Sequence, residues 1–188
     1  KVVALRFVTH VNQEVHEVGA VNTLYRTSST FWAGTITDTG GFQSAFFHEF
    51  GFFLKQRIVV LLGAGGVARS IAVQCIKDQC DKLWIANRTT DNLNQLLKEL
   101  ETLQAQSRIV TFDLNAPPFE KWPQNVIVIN ATSVGLKSGD PVLLDVSHLG
   151  REAVVYDTIY KTTPLVDAAK KHGLRTADGL SMLVWQGA

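Results

Sequence analysis

Residues 57–70 read RIVVLLGAGGVARS, and the order of features in that stretch decides the fold. A short run rich in Val and Ile, bounded by glycine, has the character of a strand buried on both faces. It passes into Gly63-x-Gly65-x-x-Ala68 and then into a helix-like segment, GGVARSIAVQCIKDQ. Gly63 permits a tight turn, Gly65 lets backbone amides approach a pyrophosphate, and Ala68 lets the helix pack closely on the strand. The positive end of that helix would face the phosphates. Glycines alone are a weak signal; strand before and helix after give them weight.

Working outward, the same alternation repeats. Apolar runs KLWIAN (82–87), SRIVTF (107–112), NVIVIN (125–130) and EAVVYD (152–157) are separated by helix-like TTDNLNQLLKELETLQ and TPLVDAAKKHG. Pro164 in the first turn and Gly173 just past the end punctuate the last of these as a helix. Thr90 or Asp91 is the expected cap of the one before it. The connection 113–124 holds three prolines and is expected to be short or irregular. Strand and helix alternating at this spacing predict an α/β chain, a Rossmann-type doubly wound parallel sheet with right-handed crossovers.

Residues 1–35 differ. In GAVNTLYRTSSTFWAGTI two strand-like runs flank a polar turn at 27–30, a segment too short to bury a core alone. It reads as the remainder of another α/β domain, joined onward by a helix at about 41–53. The expected division is 1–40 for that partial domain, 41–177 for the nucleotide-binding domain, and 178–188 for the start of a helix returning to the first. The start at Lys1 without Met and the apolar close MLVWQGA read as edges of a fragment.

Composition narrows the partners. The chain has 188 residues, 46% hydrophobic and 19% charged, with net charge +1. Nucleic acid and anionic membranes are usually met by a basic patch, so neither is expected; no apolar run reaches a membrane span. Cys75 and Cys80, five apart on a predicted helix, read as reduced thiols of a cytoplasmic protein, with no metal site. A small molecule is the expected partner, and a homodimer stays open.

Two places carry candidate chemistry. In GTITDTGG (34–41) one carboxylate, Asp38, stands among threonines and glycines; read alone it is a helix cap or turn former. The second strand of the series ends IANRTT, where a site reading an unphosphorylated ribose usually has an acid. Asn87, Arg88 and Thr89 stand there instead, and Arg88 can pair with a 2′-phosphate. That favours NADP, with NAD kept open by nearby Asp91.

With these motifs in hand, the chain resembles the shikimate dehydrogenase family, including its quinate/shikimate branch. Five stretches carry the likeness in order: GAVNTL (19–24), TDTGG (37–41), LLGAGGVA (61–68) with NRT (87–89), NATSVGL (130–136), and VVYDTIY through TPL to DGLSMLVWQGA (154–188). The resemblance implies an NADP-dependent oxidoreductase that interconverts 3-dehydroshikimate and shikimate. It implies Lys1 and Asp38 as catalytic residues: Lys1 lies 21 positions before Asn22 and 37 before Asp38, which suits the family's lysine. It assigns Asn22, Tyr160 and Gln186 to the substrate, and Gly63, Ala64, Gly65, Gly66, Val67, Ala68, Asn87, Arg88, Thr89, Thr132, Ser133 and Gly135 to the cofactor. Ile36 stands where the family usually has Asn, and Asp91 and Asn92 follow NRT where its NADP branch often has a second Arg. An NAD-using quinate/shikimate enzyme and a non-catalytic, dehydrogenase-like ligand sensor are the alternative readings.

Overall fold

Four of the expected apolar runs end up in the interior of one sheet because helices cover both of its faces. The computed structural model describes residues 3–103 and 108–187. Strands β4 (Ile58–Leu62), β5 (Lys82–Ala86), β6 (Ile109–Thr111), β7 (Ile127–Asn130), β8 (Val154–Asp157) and β9 (Arg175–Ala177) form an all-parallel sheet in the order β6-β5-β4-β7-β8-β9. The order reverses between β4 and β7, the topological switch point of a doubly wound fold, where ligands enter at the carboxyl edge of the strands.

Side chains alternate across a strand, and here the alternation sorts one apolar run into two cores. Val59, Leu61, Leu83, Ile85, Ile127 and Ile129 face one side, under α3 (Gly66–Lys77) and α4 (Thr90–Leu100). Val60, Leu62, Trp84, Val128 and Val155 face the other, under α5 (Pro164–Lys171) and the irregular segment around Trp122. Truncating a fully buried Leu such as Leu61 to Ala would cost about 2–5 kcal/mol.

The first part of the chain forms a second, small sheet. It comprises β1 (His10–Val11), β2 (Thr23–Arg26) and β3 (Trp32–Thr35) in the order β1-β3-β2, with β1 parallel and β2 antiparallel to β3. Helix α1 (Gln13–Val18), capped by the Asn12 side chain, packs on α3 and α4. Lys77 Nζ meets Glu17 at 2.6 Å, and Arg69 pairs with Glu99 beside Gly19. Glu17 is held below its ordinary range chiefly by its hydrogen bond from Lys77.

Helix α2 (Asp38–Phe50) joins the two sheets. Phe42, Phe46 and Phe50 recur every fourth residue, so they share one helix face. All three pack against Tyr156 of β8 in edge-on or tilted arrangements, with centroids 5.5, 6.1 and 6.4 Å away. Arg175, at the start of β9, donates to the carbonyl of Phe50 at 3.0 Å. The C-terminus of α2 therefore sits at the amino edge of the large sheet, and Asp38 at the carboxyl edge. Helix α6 (Leu180–Trp185) packs along α2.

Several local expectations need correction. The joining helix spans 38–50 rather than 41–53, because three of the four residues preceding Phe42 already lie in a buried, hydrogen-bonded turn. Thr89, not Thr90 or Asp91, precedes α4, and its side chain makes no capping bond. Helix α3 stops at Lys77, so Cys80 lies in the turn beyond it; both cysteines are buried free thiols. The 113–124 connection is irregular as expected, with a single 3-10 turn at Phe119–Lys121.

Candidate active site

The carboxyl edge of the large sheet gathers five segments: the β4–α3 turn, the end of β5, the loops after β7 and β8, and the start of α2. In the β4–α3 turn Gly63 has φ +120°, and a Cβ there would stand 2.7 Å from the carbonyl oxygen of Ala131. Only glycine fits that left-handed, crowded position. Gly65 caps α3 without a side-chain bond, and a Cβ on it would meet nothing within 4 Å. The first amides of α3 thus face open space at the positive end of the helix, the arrangement that accepts a pyrophosphate. Ala68 is fully buried in the core beneath the helix. These residues fit a dinucleotide.

At the end of β5 the Asn87 amide donates to the carbonyl of Thr89 at 2.8 Å, shaping a turn from which Arg88 projects into solvent. An exposed guanidinium one strand away from the glycine turn suits an anionic group.

Asp38 is fully buried, although it heads a helix. It is the first residue of α2 rather than its cap; Thr37 precedes the helix and makes no side-chain capping bond. Burying a carboxylate is costly unless it is hydrogen-bonded. Asn22 Nδ2 donates to Asp38 Oδ1 at 2.8 Å and to Thr37 Oγ1 at 3.0 Å, while Asn22 Oδ1 accepts from the Thr37 N–H at 3.1 Å. One amide side chain thus organises the whole 37–38 turn from the loop before β2. Thr39, also buried, donates to Glu14 of α1 and ties the same turn to the first helix.

Ile36 is buried in the apolar core. It takes no part in the hydrogen bonds of the turn described above, which Asn22 makes to Thr37 and Asp38.

Gln186 ends α6, with its backbone against Gly41. That contact brings Gln186 to the same helical turn as Asp38. Tyr160 is exposed in the loop after β8. Lys1 lies outside the described residues.

Three residues that the sequence reading did not single out knit the neighbouring loops. Asn130 and Asp157 end β7 and β8, are paired across the strands and are fully buried. Asn130 Nδ2 donates to Asp157 Oδ2 at 2.9 Å, and Thr163 Oγ1 donates to the same oxygen at 2.7 Å. Burial pushes the Asp157 carboxyl above the ordinary range, against the hydrogen bonds that pull it down. The signal for Asn130 and Asp157 was present: a polar residue closing an otherwise apolar strand, in NVIVIN and in EAVVYD.

Among the described residues no cluster of His, Cys, Asp or Glu can hold a metal ion, and no helix is long and apolar enough to cross a membrane.

The known proteins that this chain resembles fall in one family. The family described as shikimate / quinate 5-dehydrogenase matches residues 48–133. A shikimate dehydrogenase (NADP(+)) of Sphingopyxis alaskensis is 34% identical over 91% of this chain and 59% of its own. That of Ruthia magnifica is 33% identical over 100% of this chain and 68% of its own. Crystalline shikimate 5-dehydrogenase of Thermus thermophilus, in complex with NADP(H) and shikimate, superposes with a TM-score of 0.81 at 30% identity, over 100% of this chain and 67% of that one. The chain spans 59–68% of the length of the curated relatives it matches. Fold, glycine turn and relatives together make this chain a member of the shikimate / quinate 5-dehydrogenase family.

Proposed function

We propose that the intact protein is an NADP-dependent oxidoreductase interconverting 3-dehydroshikimate and shikimate. What supports the reading is a buried carboxylate, Asp38, held by Asn22 at the sheet edge that carries the glycine turn. Residues 1–40 and 178–188 belong to the substrate side and 41–177 to the cofactor side. Gly63 to Ala68 would hold the pyrophosphate, Asn87 to Thr89 the adenosine end with its 2′-phosphate, and Thr132, Ser133 and Gly135 the nicotinamide side. The nicotinamide supplies or accepts the hydride.

The rest of the chemistry falls on the chain's own residues. Reduction of a ketone leaves an alkoxide oxygen that must take a proton; oxidation returns it. Lys1 gives or receives that proton at Nζ, and Asp38 orients the ammonium and a neighbouring substrate hydroxyl. Asn22 holds Asp38 and reaches a substrate hydroxyl by exchanging its contact to Thr37. Tyr160 and Gln186 line the pocket. A cytoplasmic location and a homodimer belong to the same proposal.

The test is an activity grid on the intact protein: shikimate and quinate, each with NADP and NAD. Nicotinamide reduction with shikimate and NADP is expected, and no reduction in any of the four wells overturns the reading. Lys1→Ala is expected to cut turnover at least about 100-fold with cofactor affinity nearly intact. Arg88→Ala should weaken NADPH far more than NADH.

A further inference from the structure

The two loops that flank the nicotinamide and substrate sides have separate places in the chain, yet their hydrogen bonds converge on one carboxylate. Asp157 Oδ1 accepts from the Ile159 N–H at 2.9 Å, which fixes the start of the loop carrying Tyr160. Its Oδ2 accepts from Thr163, the cap of α5, at the far end of that loop. The same Oδ2 accepts from Asn130, whose Oδ1 in turn accepts from the Thr132 N–H at 2.9 Å and from Thr132 Oγ1 at 2.8 Å. Asn130 Nδ2 also reaches the carbonyl of Val134 at 3.2 Å, so the 131–135 loop is held at both ends from one side chain.

Packing repeats the link. Gly135 has φ +109°, and a Cβ there would stand 2.8 Å from Thr163 Cβ, so the first loop lies directly on the cap of the second. On its other flank the first loop abuts Gly63 of the phosphate turn through Ala131.

We infer that Asp157 is a positioning residue: through Asn130 and Thr163 it sets the 131–135 and 158–163 loops relative to one another, and so the approach of nicotinamide to substrate. Asp157 touches neither reactant and acts only through these neighbours. The inference rests on the oxidoreductase reading proposed above. The geometry requires acceptors only at both carboxylate oxygens, because all three partners donate. An amide at 157 is nearly isosteric but must turn its NH2 toward Ile159 N–H or toward the Asn130 and Thr163 donors, and either choice removes an anchor from the network that both loops share.

The experiment is Asp157→Asn in the intact protein, with three measurements. Hydrogen exchange without ligand is expected to quicken in 131–136 and 158–163 together, while β4 and β5 stay protected. NADPH affinity, governed mainly by the 63–68 turn and Arg88, should stay within about 3-fold. Turnover should fall at least about 30-fold, with a larger primary isotope effect from 4-deuterated NADPH, as expected when donor and acceptor are misaligned and hydride transfer becomes limiting. A loss of folded molecules would lower turnover without changing the isotope effect. The exchange Asn130→Asp with Asp157→Asn restores one donor and one acceptor between the strands and should recover part of the rate. Quickened exchange in 158–163 alone, or a wild-type isotope effect, overturns the inference. If wild-type protein reduces neither cofactor, the oxidoreductase reading fails, while the exchange measurement still judges the coupling of the loops.

Discussion

At the scale of single residues, the turn at 36–38 shows how a site is built from what each side chain can and cannot bond. Asn22 spends donors and acceptor on Thr37 and Asp38, and Ile36 is left to pack. An amide at position 36 would enter the apolar cluster in which Ile36 is buried, and left unpaired there it costs about 1–3 kcal/mol, with the lost packing added. Ile36→Asn, the substitution that restores the residue usual in the family, is therefore expected to lower the urea midpoint of unfolding and not to raise turnover. An unchanged midpoint with faster turnover would mean that position 36 faces the pocket. The sequence displayed Asp38 and Asn22 as a spaced pair, but not that one holds the other. Spacing carries no information on which side chain is buried or on which donor a buried carboxylate meets.

At the scale of elements, five of the six strands of the large sheet were legible because buried parallel strands must be apolar throughout, whereas β9, whose three residues Arg175–Ala177 form no such run, and the strand order were not. Helix ends were less legible: Thr89 precedes α4 without a capping bond, and Cys80 falls outside α3. The attachment of α1 to α3 was not legible at all, because the burial of Val15 and Val18 in the core they share with α3 and the Lys77–Glu17 pair both join segments far apart in sequence. Lys77 and Glu17 meet at 2.6 Å with side chains 40% and 18% exposed, so water screens the pair and it contributes about 0.2–1 kcal/mol. Its pH dependence has a definite sign. The folded state holds Glu17 below its ordinary value of 4.5. The stabilisation is present above that value and is lost as pH falls through the lowered folded value. Urea titrations should therefore separate wild type from Glu17→Gln at pH 7 and make them converge once the pH has fallen below the lowered folded value. A gap that widens in acid would contradict the pairing.

At the scale of the whole molecule, the small sheet and the large one share their supports. Three strands, two of them exposed over much of their length, are marginal alone. Helix α1 is pinned to α3 and α4, and α2 carries one apolar face from the small sheet's edge to Tyr156 under the large one. Stability that is shared in this way is lost in one step. Urea unfolding of the chain should accordingly give coincident curves from Trp32 on β3, half-exposed in the small sheet, and from Trp84 on β5, buried in the large one, each read in a variant with the other tryptophans replaced by Phe. Addition of NADPH at 100 times its dissociation constant should move both curves together by about 2.7 kcal/mol, although the cofactor residues all lie in 63–135. If the ligand moved only the Trp84 curve, the two sheets would be independent units. The route from Asn22 through Asp38 to α2 would then carry geometry but no stability between them.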